Sequence, residues 1–398
     1  MTTNDGAGQG DLRIGVIGYG ARGALSRHAH KPGEGSRVTV VAEPTERGRA
    51  DAKERYGDDI VTVESVDELL ANHEVDAVMI LTSDFAHAEV ALKTLEAGLP
   101  TFCEKPMAIS VEDTDAMLAM SREKRARLYI GHNMRHMPVV RQMKAIIDSG
   151  RIGKVRAVWC RHFVGAGGDF YFKDWHAERS KAFSLLLQKG AHDIDVIHWL
   201  SGGYTRRVSG IGDLMIYGDI DDRRDNSGRR MWDWYSEDNF PPTAQKELNP
   251  VIDVEDISML HMTLDNGVLA SYEQCHFTPD YWRNYTIIGD AGRIENMGDG
   301  GGDHINIWTS RRSGAGRPDA VEVIERGDGG HGGADPNLIA EFLRFAREGG
   351  TTEVSAVAAR EAVATGVYGA ESIRQGGIPL DVPALDPELR AYFDDGQS

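Results

Sequence analysis

The feature that most constrains this chain is a glycine-rich loop held between two apolar runs, the second of which ends in an acid. Leu12-Arg13-Ile14-Gly15-Val16-Ile17 leads into Gly18-Tyr19-Gly20-Ala21-Arg22-Gly23, then a helix-compatible Ala24-Leu25-Ser26-Arg27, then Val38-Thr39-Val40-Val41-Ala42-Glu43. In a chain with 46 glycines a bare G-x-G-x-x-G means little. A strand before it, a helix after it and an acid about 20 residues beyond the last glycine complete a dinucleotide-binding fingerprint. Gly18 permits the tight turn, Gly20 lets a pyrophosphate approach the backbone, and Gly23 allows close helix packing. Tyr19, Ala21 and Arg22 belong to the same cofactor-binding loop, and the helix start offers free N–H groups to the anion. Glu43 is placed to accept hydrogen bonds from the adenosine ribose diol and to repel a 2′-phosphate, which favours NAD over NADP. Arg47 tempers that preference, since a guanidinium there could pair with a phosphate, stack on adenine or stay in solvent.

Further β-branched runs follow at Ala77-Val78-Met79-Ile80-Leu81 and Leu99-Pro100-Thr101-Phe102-Cys103, with helix-length stretches such as 86–97 between. Four runs with helical spacers predict an α/β unit over residues 11–130, a doubly wound parallel sheet, behind a polar tail at 1–10 expected to be flexible. From residue 131 the texture changes. Val155-Arg156-Ala157-Val158-Trp159-Cys160 and Val268-Leu269-Ala270-Ser271-Tyr272-Glu273 read as strands, and Asp265-Asn266-Gly267 carries a hairpin signal. Residues 131–376 are therefore expected to form an α+β domain for substrate and oligomerisation, with helices on an antiparallel sheet and a polar excursion at 218–250 over a site or an interface. The segments 298–303 and 313–316 read as turns, 337–347 and 356–374 as helices returning to the body, and 377–398 as a C-terminal extension.

Composition narrows the function. With 398 residues, two to three domains are expected, and 62 acidic against 44 basic side chains give a net charge of −18 that opposes nucleic-acid binding. The 3 cysteines, Cys103, Cys160 and Cys275, are too few and scattered for a disulfide framework or zinc cluster and read as reduced thiols of a cytoplasmic protein. No run is long and apolar enough for a membrane span, and the start shows no secretory pattern. His132 and His136 have helical spacing without an acidic or cysteine companion, so no metal is expected.

Cys103-Glu104-Lys105-Pro106 closes a predicted strand at the carboxyl edge of the sheet, where open α/β folds bind ligands. Its proline fixes the direction of Lys105, and partial desolvation beside an oxidised nicotinamide would lower the lysine pKa toward proton transfer. With Ile14-Gly15-Val16-Ile17-Gly18-Tyr19-Gly20, Thr82-Ser83-Asp84-Phe85-Ala86-His87 and Asn133-Met134-Arg135-His136-Met137-Pro138, the Glu-Lys-Pro tripeptide resembles the Gfo/Idh/MocA oxidoreductases over about residues 12–376. The resemblance implies an N-terminal Rossmann domain, a C-terminal domain with a large open antiparallel sheet, and a homo-oligomer, dimer or tetramer, packed through those sheets. It implies Glu104 on the nicotinamide ribose, Lys105 on that ribose and the reacting hydroxyl, and Thr82, Asp84, His87 and Asn133 along the cofactor cleft. The family usually closes its site with an Asp, three residues and a His. Here Gln188-Lys189-Gly190-Ala191-His192 puts His192 in place but an amide where the carboxylate would be.

These readings predict an NAD-dependent enzyme that oxidises a secondary hydroxyl of a sugar, cyclitol or sugar acid, with Lys105 and His192 as catalytic residues. The rival is an NAD-dependent glycoside hydrolase that oxidises at C3, eliminates the aglycone, adds water and reduces the ring again; a non-enzymatic NAD-binding regulator is the third reading. Trp175, His176, Arg179, Gln188 and Lys189 are the substrate-side candidates. Cationic residues crowd the stretch 161–192; they are either solvated or paired with Asp169, Asp174, Glu178 and Asp193, or they hold an anionic sugar through Lys189 with help from His176 or Arg179. Trp232, Trp234 and Tyr235, and the block Tyr281-Trp282-Arg283-Asn284-Tyr285, are either packing aromatics or stacking platforms for a sugar ring.

Overall fold

The computed structural model describes residues 10–311 and 316–397. Residues 1–9 of the glycine-rich tail and most of the 313–316 turn lie outside them.

The first half forms a parallel sheet. Its strands are β1 (Leu12–Ile17), β2 (Ser36–Ala42), β3 (Val61–Val63), β4 (Ala77–Ile80), β5 (Thr101–Cys103) and β6 (Leu128–Ile130), in the order β3-β2-β1-β4-β5-β6. The order reverses direction at β1, so the crevice between the carboxyl ends of β1 and β4 is the expected ligand position. Every residue of β4 is buried, as a strand with both faces covered requires. β3 and β6, of three residues each, lie outside the four apolar runs of the sequence. The helix after the glycine loop is a 3-10 helix, Gly23–Ala29. Ser26 turns its hydroxyl back onto the Gly23 carbonyl at 2.5 Å, competing locally with the α-helical pattern.

The second half builds a nine-stranded sheet from β7 (Val155–Phe163), β8 (Thr205–Asp213), β9 (Ile257–Leu264), β10 (Leu269–Cys275), β11 (Trp282–Gly289), β12 (Arg293–Met297), β13 (His304–Trp308), β14 (Ala320–Val323) and β15 (Leu380–Asp381). The order is β14-β13-β12-β11-β7-β10-β9-β8-β15. The Asn266-Gly267 turn joins β9 to β10, with Gly267 at φ +83°. The sheet is mixed, because β10 runs parallel to β7 while the other pairs are antiparallel. The chain leaves β7 through helices and returns at the far side, and the β8-β9-β10 meander then delivers β10 against β7 in the same direction. One face carries helices. The other leaves Trp159 (54% exposed), Ile211 (65%) and Leu269 (60%) in the open.

The C-terminal helices bind the two sheets together. Helix Ala334–Glu348 buries Leu338, Ile339, Phe342 and Phe345 in the same core as Ile14, Val16, Phe102 and Tyr129. Helix Ala356–Arg374 places Val357, Ala359 and Val363 in the core of the first sheet and Ala362, Ala364 and Ala370 in that of the second. Helix Pro387–Asp394 adds Leu389 and Phe393 to the first. Chain that the sequence divides between a second domain and an extension thus covers the first sheet. No helix among the described residues is long and apolar enough to cross a membrane.

Phe342 is fully buried, with its ring 5.5 Å from that of Phe102 and 5.9 Å from that of Tyr129. Phe342→Ala is expected to cost about 3–5 kcal/mol in urea unfolding; a loss under about 1 kcal/mol would mean the C-terminal helix is not integral to the sheet.

Candidate active site

The glycine loop sits at the carboxyl end of β1. Gly18 adopts φ +86°, and a Cβ there would lie 2.8 Å from the Thr82 backbone nitrogen, so a side chain would push β1 away from the end of β4. Gly20 faces open space, with nothing within 4 Å of where its Cβ would stand. The Tyr19 ring turns into the core, 6.0 Å from Tyr56, and leaves only its backbone to the loop. The Tyr19 N–H donates to Glu43 Oε2 at 2.7 Å, and Thr45 donates its N–H to Glu43 Oε1 at 2.9 Å. Thr45 also donates its hydroxyl to Oε1 at 2.5 Å, so Glu43 is buried and held at the end of β2 with a lone pair of Oε2 left for an outside donor. Arg22 spans the crevice, donating from Nε to Glu104 Oε1 at 2.8 Å and lying 3.4 Å from Asp335.

Buried polar groups are normally bonded. At this crevice Thr82 Oγ1, Asp84 Oδ2 and Asn133 Oδ1 are buried without partners. With the open backbone at Gly20, they form an edge that a polar dinucleotide would satisfy, so the residues present fit a nicotinamide dinucleotide. His87 does not share that edge. Its ring is fully buried, Nδ1 on the Pro106 carbonyl at 2.7 Å and Nε2 near the Thr82 carbonyl at 3.2 Å, so it ties two backbone segments together and offers no atom to the cleft. Burial opposes charge on that ring, but the Cys103 sulfur, the Asp84 carboxylate and the Pro106 carbonyl outweigh it and hold the pKa above its ordinary value.

Lys105 reaches out of the first sheet and donates from Nζ to the Gln188 backbone oxygen at 3.2 Å. Burial pushes its pKa down, Asp84 and Glu104 oppose, and Arg22 and Arg283 push the same way as burial. Facing it, Gln188 Oε1 and His192 Nδ1 are buried and unpartnered, as are both ring nitrogens of His132, whose ring meets His192 edge-on at 6.2 Å. Burial, reinforced by Lys105 and Lys189, drives the His192 pKa well below its ordinary value, so the imidazole is neutral. Lys105, Gln188 and His192 thus meet at one place, on elements from both halves.

The carboxylate missing at position 188 has a neighbour at Asp193, which points into the second sheet. It accepts from His162 Nδ1 at 3.0 Å, lies 3.0 Å from Arg283 Nε, and takes the hydroxyls of Tyr272 (3.1 Å) and Tyr285. Burial raises its pKa, but Arg283 and His162 hold the carboxyl well below the usual range. Lys189 has no carboxylate partner among the described residues and lies over the Tyr171 ring at 5.9 Å. Burial, then the charges of Arg283 and Lys105, depress its pKa to about 7.

The expected helpers of Lys189 are engaged elsewhere. His176 Nδ1 pairs with Asp174 at 2.5 Å and its ring stacks on Trp175 at 3.7 Å; Trp175 also meets Phe85 across the two halves at 5.7 Å. Arg179 is drawn off to Glu255 at 3.2 Å, which Arg374 also contacts at 3.0 Å. The buried cation beside Lys189 is Arg283, inside the block read as aromatics. The signal was available in the alternation, for Arg283 pairs with His162 and Tyr285 with Cys160 on the inward face of β11. Trp234 is a packing residue, its Nε1 donating to the Asp169 carbonyl at 2.8 Å, and Tyr235 stacks on Phe170 at 5.9 Å. Asp335, which also accepts from Asn133 Nδ2 at 2.9 Å, had no local signal.

A sequence model of the oxidoreductase family with an NAD-binding Rossmann fold matches residues 12–132, and the model of that family's C-terminal domain matches residues 140–295. The chain belongs to the Gfo/Idh/MocA family. Its first domain is an NAD(P)-binding Rossmann domain. Among curated Gfo/Idh/MocA relatives, the putative oxidoreductase YteT of Bacillus subtilis is 24% identical over 70% of this chain and 74% of its own length. The 2,7-anhydro-N-acetylneuraminate hydratase of Mediterraneibacter gnavus is 32% identical over 52% of this chain and 55% of its own. Inositol 2-dehydrogenase 1 of Saccharopolyspora erythraea is 31% identical over 50% and 57%. Apart from YteT, the chain spans about half the length of the curated relatives it matches. Levoglucosan dehydrogenase, solved with NADH and levoglucosan, superposes with a TM-score of 0.76 at 21% identity, covering 94% of this chain and 100% of that one. At that identity the likeness is one of fold.

The Lys189 environment makes a pH prediction. From about pH 7 up to the ordinary lysine value of 10.5 the unfolded chain carries a proton that the folded chain lacks, so this residue makes stability rise with pH. Relative to Lys189→Met, the wild-type urea midpoint is expected to climb across that window; parallel curves would contradict the depressed value.

Proposed function

We propose that this Gfo/Idh/MocA protein is an NAD-dependent oxidoreductase that removes hydrogen from a secondary hydroxyl of a sugar, cyclitol or sugar acid. The observation that carries this reading is the convergence of Lys105 with unpartnered Gln188 and His192 beside the unpartnered edge of Thr82, Asp84 and Asn133. The loop 18–23, Glu43, Glu104 and that edge would hold NAD. Bound there, NAD would supply the acceptor for the hydrogen and electron pair leaving the carbon.

The proton is the protein's task. Lys105 in its amine form takes it from the hydroxyl, and the burial that lowers its pKa favours that form. The Gln188 carbonyl fixes the direction of Nζ. Neutral His192 orients the hydroxyl or carries the proton onward. Gln188, lacking a carboxylate, gives His192 no charge to stabilise an imidazolium, so Lys105 bears the base role.

Lys189 and Arg283 favour an anionic substrate. Burial and the nearby cations outweigh Asp193 and Asp299 at Lys189, which has no ion-pair partner among the described residues, so the site gains by binding a carboxylate. The relative named for a neuraminate supports a sugar acid. The contact is worth roughly 1.5–3 kcal/mol, or about 10- to 150-fold in affinity. The second reading is NAD-recycling glycoside cleavage, favoured by the amide at Gln188 and by a relative named as a hydratase, whose outcome is redox-neutral. The open sheet face around Trp159, Ile211 and Leu269 supports a homo-oligomer.

The test combines a panel of sugar acids, neutral sugars and aryl glycosides with NAD, following NADH and aglycone. Stoichiometric NADH supports the dehydrogenase, and aglycone release with NAD needed only catalytically supports the hydrolase. Lys105→Ala is expected to retain NAD binding and lose turnover by about 100-fold or more; near wild-type turnover would remove Lys105 from the mechanism. Lys189→Met should lose the preference for the acid over its neutral analogue, and equal specificity constants in the wild type would remove the anion.

A further inference from the structure

The excursion at 218–250 crosses to the first domain and lands beside the adenosine end of the cofactor crevice. Arg47 lies in the first turn of helix Glu46–Tyr56, whose cap, Thr45, is bonded to Glu43. Its guanidinium is engaged from the other domain, donating from Nη1 to Asp233 Oδ2 at 2.7 Å and from Nη2 to Asp233 Oδ1 at 3.2 Å. The Asp233 carboxylate is fixed before it meets Arg47, since it also accepts from the Arg230 N–H at 2.8 Å. The strap is anchored next to it, where Trp234 and Asn239 hold Asp169.

The other cations at this end are also engaged. Arg49 donates to the Glu43 and Pro44 carbonyls, each at 2.8 Å, and pairs with Glu64 at 3.2 Å. Arg230 pairs with Asp51 and donates to the Tyr19 carbonyl at 3.3 Å. Arg229 donates to the Asp233 carbonyl at 3.0 Å and pairs with Glu247 at 2.9 Å.

We propose that Asp233 is a determinant of cofactor specificity, which reaches across from the excursion to occupy Arg47 and so makes the cleft select NAD against NADP. A Rossmann domain admits a 2′-phosphate when an arginine near the end of the second strand can receive it. Arg47 stands at that place, and the forked geometry it offers Asp233 is the one a phosphate would use. NADP has to displace Asp233 and bring its dianion against two carboxylates, Glu43 from the first sheet and Asp233 from the second domain. NAD leaves the pair intact. This rests on the cofactor reading above and adds to it a residue outside the dinucleotide fingerprint.

Dissociation constants of NAD and NADP are measured by calorimetry at low salt on the full chain for the wild type, Asp233→Asn, Asp233→Glu, Arg47→Gln and the Asp233→Asn/Arg47→Gln pair. The ratio within one protein cancels any shared loss of fold. The wild type is expected to favour NAD. Asp233→Asn should shift the ratio toward NADP by about 10-fold or more, Asp233→Glu should keep the wild-type ratio, and the double variant should lose the shift. An unchanged ratio in Asp233→Asn, or a shift that survives in the double variant, overturns the role of Asp233 and leaves the NAD reading standing. A wild type that binds NADP more tightly, or neither dinucleotide, overturns the NAD reading itself.

Discussion

Everything at the site depends on the packing of helix Ala356–Arg374 between the two sheets. Gly366 makes that packing possible, since a Cβ there would lie 3.0 Å from the Leu187 Cα. The close approach fixes the segment carrying Gln188 against the side of the helix whose other residues pack on the first sheet. Lys105, at the end of β5, therefore finds the Gln188 carbonyl at a set distance, although 83 residues separate them in sequence.

Charge follows from the same arrangement. Asp193 is the one carboxylate beside His192 in sequence, and the sheet claims it for Arg283, His162, Tyr272 and Tyr285. A buried ion pair with its remaining groups bonded contributes little net stability but fixes geometry. Its consequence is chemical: Asp193 and Asp299 act on Lys189 only from a distance and do not offset burial and the neighbouring cations, so both it and His192 are held toward their neutral forms. An anion placed beside Lys189 would draw its proton back on, since a nearby negative charge favours the ammonium form.

What was legible in the sequence was local. Gly18 and Gly20 announce themselves because only glycine tolerates the backbone they adopt or the approach they allow, and Glu43 lies within one βαβ unit of them. Lys105 was legible through its proline and its place after a buried run. Arg283 was legible only as an inward position of β11, without its partner Asp193 on a helix; Asp335 had no signal, because its role arises from a helix that returns more than 300 residues later to Arg22. For His176 the pairing with Asp174 was one of the two readings the local sequence offered, whereas the Glu255 that holds Arg179 lies 76 residues away and left no local signal. Tyr19 misled in a smaller way, since its place in the loop says nothing about a ring that packs on Tyr56.

The central claim is that hydrogen passes from a carbinol carbon of a sugar to NAD beside Lys105. The most direct measurement is a single turnover with stoichiometric NAD and a substrate deuterated at each carbinol carbon in turn, read by mass spectrometry of the recovered cofactor. Deuterium is expected in the nicotinamide for one position only, with its appearance abolished in Lys105→Ala. A substrate consumed with no deuterium reaching the cofactor from any position would contradict the account.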